Sequence, residues 1–109
     1  MNLKKIQQEI VQFRNQRNWK QFHNPKDFGL GLMCEAAEFA EHFKYYQGEE
    51  LKDYIQKHKE DISDELIDVL FWVLLAAHDL DIDLEQSFKR KMKKNAQKYP
   101  DGSSHKNYR

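Results

Sequence analysis

The sequence predicts an all-α fold, a bundle of four helices, and three observations carry that prediction. Strand-type alternation is absent, while apolar residues recur at spacings of three and four. Only two prolines and four glycines interrupt the chain, most of them where helices should start or stop, while Gly29 and Gly31 locally weaken the second helix. The 109 residues, 39% hydrophobic and 33% charged, suit one domain with a wet surface. Residues 1–100 read as that domain and residues 101–109 as a flexible tail.

The first helix is expected from Leu3 to Arg17, with Leu3, Ile6, Ile10 and Phe13 forming one apolar stripe. A connector rich in rings follows, NWKQFHN from Asn18 to Asn24. The second helix should start at Asn24-Pro25, because Asn caps helix starts well and Pro suits the first helical position. Asp27 then lies in the first turn, where its charge complements the helix dipole. This helix is expected to run through Tyr46 and to stop at Gly48 as its C-terminal glycine. The third helical region spans Glu49 to Leu80, with a possible break between His58 and Asp61. The last helix starts after Asp83, where Asp-Leu-Glu-Gln resembles a capping box, and ends at Tyr99-Pro100.

Charge excludes some functions. Eighteen basic and eighteen acidic residues cancel, so a nucleic-acid polymer is not an expected partner. The distribution is uneven: acids concentrate from Glu35 to Glu85, and Lys89 to Lys98 reads KRKMKKNAQK. A small polyanion held with a divalent cation would need both signs. The single cysteine, Cys34, forms no disulfide framework and reads as a small core residue. The N-terminus has no apolar signal core, and no run is long enough to span a bilayer, which points to a cytoplasmic protein.

Leu66 to Ala77, LIDVLFWVLLAA, is apolar on every face and should be buried on nearly every face, yet it contains Asp68. An unpaired buried carboxylate costs several kcal/mol. Glu65 and Asp68 share a helical face, as do Glu35 and Glu38 on the second helix, the latter pair also set among apolar residues. No run of Arg or Lys lies on these faces. Four converging carboxylates form an oxygen-only donor set suited to Mg²⁺ or Mn²⁺. A di-iron bundle would require Glu three residues before a His, and none of the five histidines has one.

On the last helix Lys91, Asn95 and Lys98 form one polar stripe that could hold phosphate oxygens. Trp72 shares the face of Glu65 and Asp68, and Tyr45 shares the face of Glu38, so two rings could sandwich a base. Trp19, Phe22 and His23 in the connector could act as a lid or line a pocket, while His42 and His78 read as structural.

Taken together these motifs resemble the MazG-like all-α NTP pyrophosphohydrolases. The resemblance rests on Glu35-x-x-Glu38 followed by Glu65-x-x-Asp68. It extends to Trp19-Lys-Gln-Phe-His23-Asn-Pro25 and to Lys91-x-x-x-Asn95-x-x-x-Tyr99-Pro100, which look like the dCTP pyrophosphatase branch. It implies Mg²⁺ on Glu35, Glu38, Glu65 and Asp68, and a nucleotide pocket at Trp19, His23, Tyr45, Trp72 and Asn95, with Lys91 and Lys98 near phosphate. It also implies a homotetramer, a dimer of dimers, with active sites built between subunits. Two positions depart from the branch: Tyr45 stands where Trp is frequent, and Trp72 where Tyr is frequent. The expected reaction is water attack at the α-phosphorus of a (deoxy)nucleoside triphosphate, such as dCTP or a modified dNTP. Glu38 or Glu35 would serve as general base, and the role would be cleansing of nucleotide pools. The alternative is a helical sensor or interaction module that binds nucleotide or metal without turnover.

Overall fold

In a computed structural model describing residues 2–102, the chain is all helical. The elements are α1 (Leu3–Gln16), a 3₁₀ turn (Trp19–Phe22), α2 (Pro25–Glu41), α3 (Gly48–Lys57), α4 (Lys59–Asp79) and α5 (Leu84–Lys98). The expected tail, apart from Asp101 and Gly102, lies outside the described residues.

The start of α2 follows its local chemistry. The Asn24 side chain accepts from the Asp27 backbone N–H at 3.1 Å, and the Asn24 N–H donates to the Asp27 carboxylate at 2.9 Å. Pro25 occupies the first turn, completing a reciprocal capping box. At α5 only half of the expected box forms, with Asp83 accepting from the Gln86 N–H at 3.1 Å.

Two expected boundaries are corrected. The second helix ends at Glu41, not Tyr46. From His42 onward the backbone tightens into i to i+3 turns, with Phe43 N–H on Ala40 and Tyr46 N–H on Phe43. Tertiary contacts hold this unwinding in place, because Tyr46 stacks on Tyr54 at 4.5 Å and His42 bonds the Tyr54 hydroxyl. Gly48 is therefore not the C-terminal glycine of α2 but the first residue of α3, at φ +60°, a conformation glycine adopts without penalty. The break in the third region falls at His58, which closes α3 through its N–H on Tyr54 and opens α4 by accepting from Ile62.

The body is an antiparallel pairing of α2 with α4, and α1 covers the C-terminal half of α4. That half is the core: Leu74 and Leu75 are 1% and 0% exposed. The expectation that α4 is buried on nearly every face fails in its N-terminal half, where Leu66 is 49% and Ile67 58% exposed. Only α2 and, lightly, α3 reach that part within one chain. Cys34 is likewise exposed rather than core.

Sequence reading missed a charge that is buried outright. Arg14 is fully buried on α1 and pairs with Asp79 at the end of α4, Nη2 lying 2.9 Å from Oδ1 in a two-pronged contact. Gln7 adds a bond from its amide to the Leu74 carbonyl at 2.9 Å. The chain leaves α4 through Asp81 at φ +55°, with the Ile82 N–H reaching back to the Ala77 carbonyl at 2.8 Å. Beyond this turn α5 stands off the other helices, and Phe88 and Met92 remain exposed.

Candidate metal and nucleotide site

The antiparallel crossing of α2 and α4 sets the site. As α2 advances, α4 retreats: Gly31 meets Trp72, Glu35 neighbours Asp68, and Glu38 lies against Glu65. Spacings of three or four on each helix keep all of these residues on the shared face. Glu35, Glu38, Glu65 and Asp68 each present a carboxylate oxygen within 4.8 Å of the others.

The burial argument needs correcting at this point. Asp68 and Glu38 are exposed, whereas Glu35 and Glu65 are half-buried. The tension predicted for Asp68 therefore sits on Glu35 and Glu65. The Oε2 atom of each is buried without a hydrogen-bond partner, an arrangement native proteins avoid unless something else is bound. Burial first, then Glu38, Asp68 and Glu65, holds the Glu35 carboxyl above its ordinary range. Burial first, then Glu38 and Asp68, raises Glu65 as well, and His42 opposes that rise.

Among the described residues no lysine or arginine pairs with any of the four. Two orphaned buried oxygens in an all-oxygen donor set fit a hard divalent cation, which would neutralise the cluster and fill the empty valences.

Beside the acids lies a ring cluster. Trp72 is half-buried, with His23 at 5.1 Å and Phe28 at 6.4 Å between centroids. The 3₁₀ turn and the capping box bring His23 to this point, and its Nδ1 is buried and unpartnered. Gly31 makes the packing possible, because a Cβ there would lie 2.4 Å from the Trp72 ring. Gly31→Ala is expected to destabilise the protein. The helix-propensity gain of about 1 kcal/mol is outweighed by an overpacking cost of about 1–3 kcal/mol, and the displaced ring should weaken any base contact. Urea denaturation of the variant checks the first effect, and nucleotide KM the second.

The remaining expected site residues fall elsewhere in the chain. Trp19 packs edge-on against Phe13 at 5.6 Å. Tyr45 lies beyond the end of α2, so the face it was expected to share with Glu38 does not continue to it; it is 72% exposed beneath Lys44. Lys91, Asn95 and Lys98 ride on α5, which stands away from the acidic cluster of its own chain.

One residue near the acids was missed. His42 was read as structural, yet its Nε2 lies 3.9 Å from Glu65 Oε1 and its Nδ1 lies 2.8 Å from the Tyr54 hydroxyl. The signal was present: His42 is four residues after Glu38 and seven after Glu35, on the same helical face.

Comparison with known proteins gives the family. Residues 33–109, which include all four acids, match the MazG-like family. The chain is 33% identical over 100 residues to dCTP pyrophosphatase 1 of Mus musculus and 30% identical to that of Homo sapiens, covering 90% of this chain in each case. It spans 59% of the length of these relatives. A crystal structure of a pyrophosphatase from Archaeoglobus fulgidus superposes with a TM-score of 0.82 at 30% identity, covering 89% of this chain and 91% of that one. The acid quartet on two antiparallel helices and the match over residues 33–109 converge on one conclusion: the chain belongs to the MazG-like family.

Proposed function

We propose that the protein is a divalent-metal-dependent nucleotide pyrophosphohydrolase, converting a (deoxy)nucleoside triphosphate to its monophosphate and pyrophosphate. The observation that carries this reading is the quartet Glu35, Glu38, Glu65 and Asp68, converging within 4.8 Å with no lysine or arginine paired to it among the described residues. The relatives named dCTP pyrophosphatase 1 support dCTP or a modified dNTP as substrate. All four acids would hold Mg²⁺, or Mn²⁺ in its place. Bound metal supplies charge neutralisation for the triphosphate and makes water a stronger nucleophile.

The chain's own residues do the rest. Glu38 is exposed, so it can accept the proton of the attacking water, with Glu35 the alternative base. The water oxygen bonds to the α-phosphorus as the bond to the α-β bridging oxygen breaks, and pyrophosphate leaves with that oxygen. Trp72 and His23 offer a stacking surface for the base. We expect Trp72→Ala to flatten the kcat/KM ratios across the common dNTPs while leaving metal affinity nearly unchanged. Unaltered ratios would remove Trp72 from the base site.

The site is completed, in this reading, by a second copy of the chain in a dimer of dimers. The exposed apolar residues Leu30, Met33, Leu66 and Ile67 on α2 and α4, with Phe88 and Met92 on α5, are surfaces such an assembly would cover. Lys91, Asn95 and Lys98 would then reach phosphate across the subunit boundary. Trp19 and Tyr45 belong to the same proposed nucleotide site. Light scattering on the purified chain tests the assembly, and a monomer at micromolar concentration would refute it. A dNTP panel with Mg²⁺ and a pyrophosphate assay tests the activity. Binding without pyrophosphate release would favour a nucleotide- or metal-binding sensor instead. No described helix is long and apolar enough to cross a membrane, consistent with a cytoplasmic site of action.

A further inference from the structure

We propose that His42, held by the Tyr54 hydroxyl, is a positioning residue that fixes the Glu65 carboxylate for ion binding. The inference rests on the metal-site reading above. It starts from a helix with little else to attach it. Among the described residues α3 touches the body mainly along α4, yet its Tyr54 reaches across to the end of α2. The Tyr54 ring is clamped between Tyr46 at 4.5 Å and His58 at 4.2 Å, both nearly parallel to it. Stacking on both faces leaves the hydroxyl one direction to point, and it meets His42 Nδ1 at 2.8 Å.

The partner on the other side selects the histidine's tautomer. An ionised Glu65 carboxylate can only accept, so the neutral imidazole that serves it carries its proton on Nε2, and Nδ1 then accepts from the Tyr54 O–H. Nε2 faces Glu65 Oε1 at 3.9 Å, a gap that a shift of about 1 Å would close into a hydrogen bond. With Oε1 engaged in this way, Oε2, buried and unpartnered, is the oxygen left for a cation. Partners behind a metal ligand orient it in this manner and typically contribute tenfold to a hundredfold in metal affinity.

Mn²⁺ titration of the ion-free protein, followed by electron paramagnetic resonance, tests the proposal alongside the melting temperature in EDTA. Tyr54→Phe keeps the ring stack and removes only the hydroxyl. It is expected to weaken Mn²⁺ binding about tenfold while the ion-free melting temperature stays close to wild type. His42→Leu should lose at least as much affinity, and His42→Gln, which restores an N–H donor, should recover part of it. Wild-type Mn²⁺ affinity in both Tyr54→Phe and His42→Leu would overturn the positioning role and leave the metal site standing. So would an affinity loss that tracks an equal fall in ion-free stability. A wild-type protein that binds no Mn²⁺ would remove the metal site itself, and this inference with it.

Discussion

Asp68→Asn is expected to reduce pyrophosphate release by more than about a hundredfold, beyond the loss typical of a residue that only supports a metal ligand, and at the same time to raise the melting temperature of the ion-free protein. The two effects have one cause. Asp68 stands in a group of four carboxylates whose oxygens lie within 4.8 Å of one another. Unit charges about 4 Å apart repel by about 1 kcal/mol in water and by about 4 kcal/mol at the effective dielectric of a protein surface. Removing one charge relieves that repulsion, and Asn keeps the shape. Ordinary salt-bridged acids would behave in the opposite way, losing stability when neutralised. Differential scanning calorimetry in EDTA, paired with a pyrophosphate assay, reads both effects. A melting temperature that falls would contradict the quartet.

Burial, with the same repulsion behind it, sets a pH dependence. Glu35 and Glu65 have folded-state pKa values raised above the ordinary 4.5, so the folded protein holds more protons than the unfolded chain between 4.5 and those raised values. Stability then falls as pH rises through that window. In EDTA the protein should melt higher at mildly acid pH than at neutral pH, and saturating Mn²⁺ should remove the difference.

The second large effect concerns the fold. Asp79→Ala is expected to destabilise the protein by about 3–5 kcal/mol, because Arg14 would be left as a fully buried, uncompensated charge. Replacing both residues, Arg14→Met with Asp79→Leu, should recover most of the loss, because a buried ion pair costs about as much to desolvate as it returns. The Arg14 guanidinium holds the Asp79 carboxyl below its ordinary 3.8. Its stabilisation is therefore complete above that value and fades as pH falls through the lowered one. Urea denaturation of the single and double variants measures both outcomes. A loss under 1 kcal/mol in Asp79→Ala would show that water reaches Arg14.

What the sequence made legible was the local chemistry. The Asn24-Pro25-Asp27 cap, the two acidic pairs on facing helices and the placement of Trp72 beside them all follow from spacing on a single helix. What it hid depended on contacts between distant segments. Nothing near Arg14 announces a partner at Asp79, because helix periodicity does not say which ends of α1 and α4 meet. The end of α2 was misread because no Gly or Pro breaks the chain before Gly48, and contacts with Tyr54 hold the unwound turns instead. Asp68 was read as buried because an all-round apolar helix normally is; a single copy of the chain leaves half of α4 open.

The isolation of α5 has a consequence for how the molecule moves. A helix of 15 residues that packs on no other helix to more than a slight extent among the described residues is marginal on its own in water. Its backbone amides should exchange with deuterium nearly as fast as those of a free peptide in dilute solution, while those of Leu74 and Leu75 resist. Slow exchange in α5 that appears only as the protein is concentrated would time the arrival of a neighbour against it.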